Sequence, residues 1–184
     1  MDATNIERNL YLTTQLIETG IPVVIALNMA DLMEKNSIRI DTERLGMLLG
    51  CPIVKTSALK GTGLKEVVDE AVHAAKKREV KLPGAMFSRE LEAAIDTARH
   101  HLEGTVEESR SRWYAIKLLE SDPKAAEGLS LSASARKEIE DCAKAMEKIH
   151  DDDMESIVTD ERYRYIQKLV STTVKKIRSK ADPF

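Results

Sequence analysis

Two polar residues directly after a buried-looking apolar run could bind a purine base. Asn28 and Asp31 follow the run "PVVIAL", which ends at Leu27. A carboxylate accepts two parallel N–H bonds, and guanine offers such a pair at N1 and its exocyclic amine, which adenine lacks. Each such charge-assisted bond contributes about 1.5 to 3 kcal/mol when it is shielded from water. Asp31 could therefore select guanine, although an Asx turn or a helix cap would explain the same residues.

A second motif follows the next apolar segment. The stretch "TSALKGTGLKE" runs from Thr56 to Glu66 and combines a Ser-Ala pair with a Gly-x-Gly sequence. Small residues and glycines let backbone N–H groups approach a ligand closely. Two adjacent strands that each deliver a base-contacting loop are typical of the GTPase fold.

The elements that must position these motifs form an α/β pattern in the first half of the chain. Continuous apolar residues in "PVVIAL" predict a strand buried on both faces, and "CPIVKT" predicts a second short strand parallel to it. Helices are predicted over 5–19, from an Asp41 cap to Leu49, and along the amphipathic stripe from Leu64 to Ala75. Ligands bind such sheets at the carboxyl ends of the strands, where both motifs lie.

The second half of the sequence has no strand signals. Helices are predicted over 88–102, 111–119 and 132–149, and a last helix carries an apolar stripe that includes Ile166, Val174 and Ile177. A charged run followed by Leu82-Pro83-Gly84 marks the boundary. We therefore expect an α/β domain over 1–82 and an all-α bundle of about four or five helices over 83–184.

Composition excludes several classes of protein. The 28 basic and 31 acidic residues give a net charge of -3 without a basic cluster, so we expect no nucleic-acid partner. The two cysteines lie far apart and predict neither a disulfide framework nor a metal motif, and we assign no metal ligands. No apolar run approaches the roughly 20 residues of a membrane helix, so the chain as written is expected to be soluble.

Four stretches together resemble the FeoB family of ferrous iron transport proteins. They are "DATNIERNLYLTTQLIETGIPVVIALNMAD", "KTSALKGTGLKEVV", "RWYAIKLLE" and "DERYRYIQKLV". The resemblance implies the rear half of a cytosolic P-loop-type GTPase domain, with a partial parallel sheet, followed by a helical domain like a guanine-nucleotide dissociation inhibitor. It further implies a cytoplasmic location beside a membrane domain that moves Fe2+, with GTP or GDP as the cofactor of the intact protein.

The resemblance also assigns roles to individual residues. Asp31 would bind guanine N1 and N2, Asn28 would support the base and the adjoining loop, and the N–H of Ala58 would face guanine O6. Ser57 would brace that loop. Met29 and Leu59 occupy positions where GTPases usually carry Lys, and Met29 keeps the packing on the base but loses the charge. This departure implies weak binding and fast exchange of the nucleotide.

The motifs for phosphate binding and hydrolysis are absent from the sequence. None of the eight glycines is followed by Lys or preceded by Asp three positions earlier, so neither GxxxxGK[ST] nor DxxG occurs. We therefore expect a fragment whose parent protein is a GTPase, with Mg2+ bound through missing residues. The fragment itself should have no catalytic residues, no hydrolysis and at best millimolar nucleotide affinity.

Two further interpretations remain open. The chain could be a non-enzymatic helical interaction or dimerisation module, and uncovered strand edges in the first half predict a homodimer or a strand-swapped assembly. It could also derive from a ribosome-assembly GTPase, which the acidic second half argues against. A basic "KKIRSK" stretch over 175–180 could contact lipid headgroups, although such a stretch at a helix end is usually only solvated.

Overall fold

The chain forms two compact units in a computed structural model. The structure describes residues 1–35, 37–81, 83–84 and 86–176, and for Ala30, Asp31, Glu34 and Lys176 it describes the backbone alone. The first unit, called the α/β unit below, contains Met1–Ile17, Pro22–Pro83 and the described residues from Ile166 onward. The second, called the helical unit, contains Glu18–Ile21 and Gly84–Tyr165.

The α/β unit is organised around a short parallel sheet. The parallel sheet contains β1 (Ile25–Leu27) and β3 (Ile53–Lys55), and a separate antiparallel pair contains β2 (Ile38–Ile40) and β4 (Val174–Lys176). Its helices are α1 (Ile6–Glu18, with its last residue in the helical unit), α2 (Ala30–Lys35), α3 (Thr42–Leu49) and α4 (Leu64–Lys77). Strand β1 pairs in parallel with β3 in the register Ile25↔Ile53 and Leu27↔Lys55. The two predicted strands are therefore present. Ile25 and Leu27 of β1 are buried, whereas Ile53 and Val54 of β3 are only half-buried, which corrects the expectation that both faces of the sheet are covered.

Local sequence explains where helix α3 begins and ends. The Asp41 side chain accepts a hydrogen bond from the Arg44 N–H at 3.0 Å and so caps the first turn. Gly50 ends the helix in the left-handed conformation at φ 74°, and its N–H donates to the Gly46 carbonyl. Both ends match the sequence-based expectation.

The structure corrects the prediction for the end of the last helix. Helix α9 (Met154–Thr173) ends before Val174, which we expected on its apolar stripe. Val174 instead begins β4 and pairs antiparallel with Ile40 of β2. Because this ladder holds the chain against β2, the described residues from 166 onward belong to the α/β unit. Ile177 and most of the basic stretch lie outside the described residues.

The described part of the helical unit contains five helices. Besides the first part of α9 they are α5 (Arg89–His100), α6 (Glu108–Leu119), α7 (Pro123–Ala126) and α8 (Ala133–His150). All of them except the short α7 contribute side chains to one apolar core. Ser88, Asp122 and Ser132 cap α5, α7 and α8 through their side-chain oxygens. Leu91, Ile95 and Leu102 are fully buried in the core. None of the helices in the described part of the chain is long and apolar enough to span a bilayer.

One charged pair orders the entrance to α5. The carboxylate of Glu92 binds the Arg112 guanidinium through two contacts of 2.7 and 2.9 Å and also accepts the N–H groups of Met86 and Phe87. Burial raises the pKa of Glu92, but the Arg112 hydrogen bond and charge, together with the two N–H groups, hold it below its ordinary value. The Arg112 guanidinium also lies 5.4 Å from the centre of the Phe87 ring. This cluster fixes the segment that precedes α5.

A second pair is buried almost completely. Glu18 Oε2 lies 2.8 Å from Arg162 Nη2, and the two side chains are 2% and 3% exposed. Burial raises the pKa of Glu18 to about 7, against the opposing charges of Arg162 and Arg112. The pair lies within the helical unit, although Glu18 is the last residue of α1.

Candidate functional site

The carboxyl end of β1 places Asn28 between two neighbouring chain segments. On one side, the Asn28 N–H donates to the Met1 carbonyl at 2.8 Å and the Asn28 carbonyl accepts the Ala3 N–H at 3.0 Å. On the other side, the Leu27 carbonyl accepts the Thr56 N–H at 2.9 Å and extends the ladder to β3. The backbone of Asn28 is therefore fixed at the edge of the sheet where ligands bind.

The Asn28 side chain connects the two predicted loops. Its Oδ1 accepts a hydrogen bond from the Ala58 N–H at 3.0 Å. The bond joins residues thirty positions apart in the sequence, from the ends of two adjacent parallel strands. The two motifs thus form one local site.

Met29 leads from β1 into helix α2 in an unusual conformation. Its φ is 62°, which few residues other than Gly, Asn and Asp adopt, and its carbonyl accepts the N–H of Leu32. The Met29 side chain is 40% exposed. The backbone of Asp31 lies in the first turn of α2, and only the backbone of this residue is described. Met29 therefore presents an apolar side chain beside the Asn28 amide.

The loop after β3 closes on itself. The Ser57 N–H donates to the Thr62 carbonyl at 3.1 Å, and the Thr62 N–H donates to the Ser57 carbonyl at 3.2 Å. Ser57 is buried, whereas Leu59 at the tip is 95% exposed. The backbone pairing of Ser57 thus holds the loop that carries Ala58.

The described residues of this arrangement provide a side-chain amide, a backbone N–H and two exposed apolar side chains. The Ala58 N–H that the sequence assigns to guanine O6 donates to Asn28 in this structure. A bound O6 would therefore share or replace this bond. Exposed Met29 and Leu59 could cover the faces of a base, since apolar side chains pack well on aromatic surfaces.

Sequence reasoning included Gly63 only as part of the Gly-x-Gly pattern and did not single out Thr62. Thr62 forms the backbone pair with Ser57, and Gly63 directly precedes α4 at φ 74°. The signal for Gly63 was present in the Gly-x-Gly pattern, because a glycine before an amphipathic helix often marks a left-handed residue. The partner of Ser57 could not be found from residue types, since backbone groups make both bonds.

Two family models match this chain in succession. One, described as ferrous iron transport protein B, matches residues 1–71, and the other, the FeoB cytosolic helical domain, matches residues 87–175. The chain belongs to the FeoB family. The first model covers both loops of the site, and the second covers helices α5 to α9.

Curated FeoB relatives are much longer than this chain. The Fe(2+) transporter FeoB of Escherichia coli (strain K12) is 37% identical over 123 residues, which is 66% of this chain and 16% of that protein. A fusion of Fe(2+) transport protein A with Fe(2+) transporter FeoB from Porphyromonas gingivalis is 35% identical over 181 residues, covering 90% of this chain and 21% of the relative. The chain thus spans about one sixth to one fifth of their length.

Solved FeoB structures have the same fold. A GDP-bound variant of S. thermophilus NFeoB gives a TM-score of 0.88 at 46% identity, covering 95% of this chain and 67% of that one. The mGMPPNP-bound NFeoB from S. thermophilus gives a TM-score of 0.81 at 44% identity, with coverages of 100% and 68%. The α/β unit is therefore part of a P-loop GTPase fold, and it is accompanied by the FeoB helical domain.

Proposed function

We propose that this chain carries the guanine-recognition loops and the helical regulatory domain of a GTP-dependent ferrous iron transporter. Residues 1–82 would act as the rear half of a G domain and residues 83–184 as the regulatory domain, on the cytosolic face of the membrane. The observation that carries the proposal is the hydrogen bond from the Ala58 N–H to Asn28 Oδ1, which unites the two loops at one sheet edge. The guanine-nucleotide complexes of the S. thermophilus relatives support the same ligand class.

Within this site we assign base selection to Asp31, whose carboxylate would accept guanine N1–H and N2–H. Asn28 would hold the loop of Ala58, Ser57 would brace that loop, and Met29 and Leu59 would pack on the base. Base contacts without phosphate contacts provide only a few kcal/mol, which corresponds to about millimolar affinity. Mg2+ and the phosphates would be held by a GxxxxGK[ST] segment, which these 184 residues do not contain. The chain by itself therefore would not hydrolyse GTP.

Calorimetric titration with GDP and ATP tests this proposal. The 184-residue chain is compared with a chimera in which the part of S. thermophilus NFeoB without a counterpart here is joined to it. We expect the chimera to bind GDP in preference to ATP, and the chain alone to bind GDP only at millimolar concentration. A chimera that folds but binds neither nucleotide would show that the loops are structural turns.

Exchanging the base-selecting carboxylate tests the role of Asp31. In the chimera, Asp31→Asn should weaken GTP at least about tenfold relative to xanthosine triphosphate, since about 1.4 kcal/mol is lost. Asp69→Asn on the exposed surface of α4 is the matched control and should leave the ratio unchanged. If another residue reads the base, the Asp31→Asn variant keeps the wild-type preference for GTP over xanthosine triphosphate, and that result refutes the assignment.

An additional role as a dimerisation module has one specific observation in its favour. Helix α4 is amphipathic but contains no buried residue, and Leu64, Val68 and Val72 on one face are 48%, 61% and 48% exposed. Covering this face with a second copy would remove apolar surface from water. Sedimentation at about tens of micromolar, a range suited to weak interfaces, distinguishes a dimer from a monomer. Val68→Lys should dissociate the dimer, and a wild-type monomer would exclude this role.

A further inference from the structure

The loop that carries Ala58 is closed by a backbone pair at its ends, and the Ala58 N–H itself donates to Asn28 Oδ1 at 3.0 Å. Ser57 and Thr62 pair through both of their backbone groups, at 3.1 and 3.2 Å. Between them, Leu59 is 95% exposed, and a Cβ added at Gly61 would meet nothing within 4 Å. The position of the Ala58 N–H therefore depends on Asn28 and on what fixes the two closing residues.

The residue after this pair makes an unusually close approach to strand β3. Gly63 lies at φ 74°, and a Cβ added there would lie 2.2 Å from the Lys55 carbonyl oxygen and 3.1 Å from Thr56 Cγ2. The Lys55 oxygen belongs to the backbone of β3, and in the sheet Lys55 is the partner of Leu27 on β1. It cannot turn aside as the end of a flexible side chain could. The start of α4 can therefore lie against β3 only if residue 63 has no side chain.

Gly61 provides an internal comparison for this contact. Both glycines are in the left-handed region, at φ 68° and 74°. A side chain at either position would experience similar backbone strain. Only Gly63 would also meet the backbone of Lys55. Substitutions at the two positions thus separate close packing from conformational strain.

We propose that Gly63 is a positioning residue for guanine recognition, because its close approach to Lys55 keeps the Ser57–Thr62 pair closed and the Ala58 N–H beside Asn28, where a bound base would share or replace its bond. The part of this proposal that concerns ligand binding rests on the proposed function of the site. Gly63 touches no ligand itself, and its effect reaches the base through the loop. A Cβ at this position pushes the start of α4 away from β3 and opens the loop.

Solution NMR of the 15N-labelled 184-residue chain tests the structural half without a ligand. Amide exchange of Ser57 and Thr62 is measured in the wild type, Gly63→Ala and Gly61→Ala. We expect exchange at both amides to accelerate at least about tenfold in Gly63→Ala and to change little in Gly61→Ala. The pair Gly63→Asn and Gly61→Asn is used if the Ala variants unfold, since Asn tolerates positive φ and still has a Cβ. Equal protection in both members of a folded pair overturns the inference.

Titration of the same samples with GDP and ADP tests the ligand half. The initial slope of the Ala58 amide shift against nucleotide concentration is proportional to 1/Kd, so it remains measurable for weak binding. We expect the GDP slope to fall about fivefold in Gly63→Ala and less than about twofold in Gly61→Ala. The ratio of the GDP slope to the ADP slope should also fall in Gly63→Ala. A loss of stability alone would leave this ratio unchanged in the folded protein.

The outcomes separate the two proposals. A wild-type chain that prefers GDP while the variants at 61 and 63 have equal ratios refutes the role of Gly63 and leaves the proposed function standing. A wild-type chain with equal GDP and ADP slopes refutes guanine recognition by these loops and with it the ligand half of this inference. The exchange rates then still decide whether Gly63 closes the loop.

Discussion

Replacing Glu18 with Gln should remove a pH dependence of stability that originates in one buried carboxyl group. The pKa of Glu18 rises from an ordinary 4.5 to about 7 because the group is buried, and Arg162 only partly offsets this effect. The groups that act on it are Arg162, Arg112, Glu120 and Lys117. Between these two pKa values the folded protein holds a proton that the unfolded chain has released. The free energy of unfolding therefore falls as pH rises through this window.

The size of the effect follows from the two pKa values. As pH rises from about 5 to about 8, ionisation of Glu18 should lower the free energy of unfolding by about 2 to 3 kcal/mol. Gln is neutral throughout, so Glu18→Gln lacks this contribution. Any constant cost of pairing Arg162 with an amide shifts the whole curve without changing its slope. The difference between the wild-type and variant free energies should thus change by the stated amount.

Urea unfolding followed by the fluorescence of Trp113 measures this difference. Trp113 is the only tryptophan and lies on α6, so its signal reports on the helical unit. Glu107→Gln is the control, because Glu107 is exposed and its contact with Arg110 is 3.6 Å long. Parallel wild-type and Glu18→Gln stability curves between about pH 5 and about pH 8 would refute the reasoning.

Three further substitutions in the helical unit are expected to lower stability by different mechanisms in the same fluorescence assay. Gly20→Ala should cost at least about 3 kcal/mol, because its Cβ would lie 1.8 Å from the Ser109 carbonyl oxygen, whereas Gly104→Ala at a similar φ has open space and should cost about 1 kcal/mol. Ile95→Ala should cost about 2 to 5 kcal/mol because Ile95 is fully buried, and a loss below about 1 kcal/mol would contradict its place in the core. Ser132→Ala should cost about 1 kcal/mol by removing the cap of α8, while Ser132→Asp should retain most of it.

Much of this architecture could be predicted because its signals are local in the sequence. Asp41 and Gly50 bracket α3, serines cap α5 and α8, and continuous apolar runs form β1 and β3. Helix α2 and strand β2 were not predicted. Each is too short for a periodic pattern to identify, since α2 has six residues and β2 has three.

The remaining differences arise from contacts between distant parts of the chain. Val174 continues the apolar period of α9, but pairing with Ile40 converts it to a strand residue. The hydrogen bond between Ala58 and Asn28 likewise depends on how the two strand ends meet. Residue types identified both loops as candidates. Only the fold shows that a hydrogen bond joins them. Gly63 shows the same limit, since the sequence gives a glycine but not the carbonyl beside it.

The pairing of β2 with β4 also has a consequence for the order in which the protein folds. Ile38–Ile40 is synthesised early, and its partner Val174–Lys176 is synthesised only after the entire helical unit. The helical unit is made of mainly local contacts, so it can form as soon as its own residues leave the ribosome. The α/β unit must wait for β4, and until then β2 lacks the strand with which it pairs in this structure. An emerging chain can therefore complete its helical unit before the β2–β4 pair of its α/β unit forms.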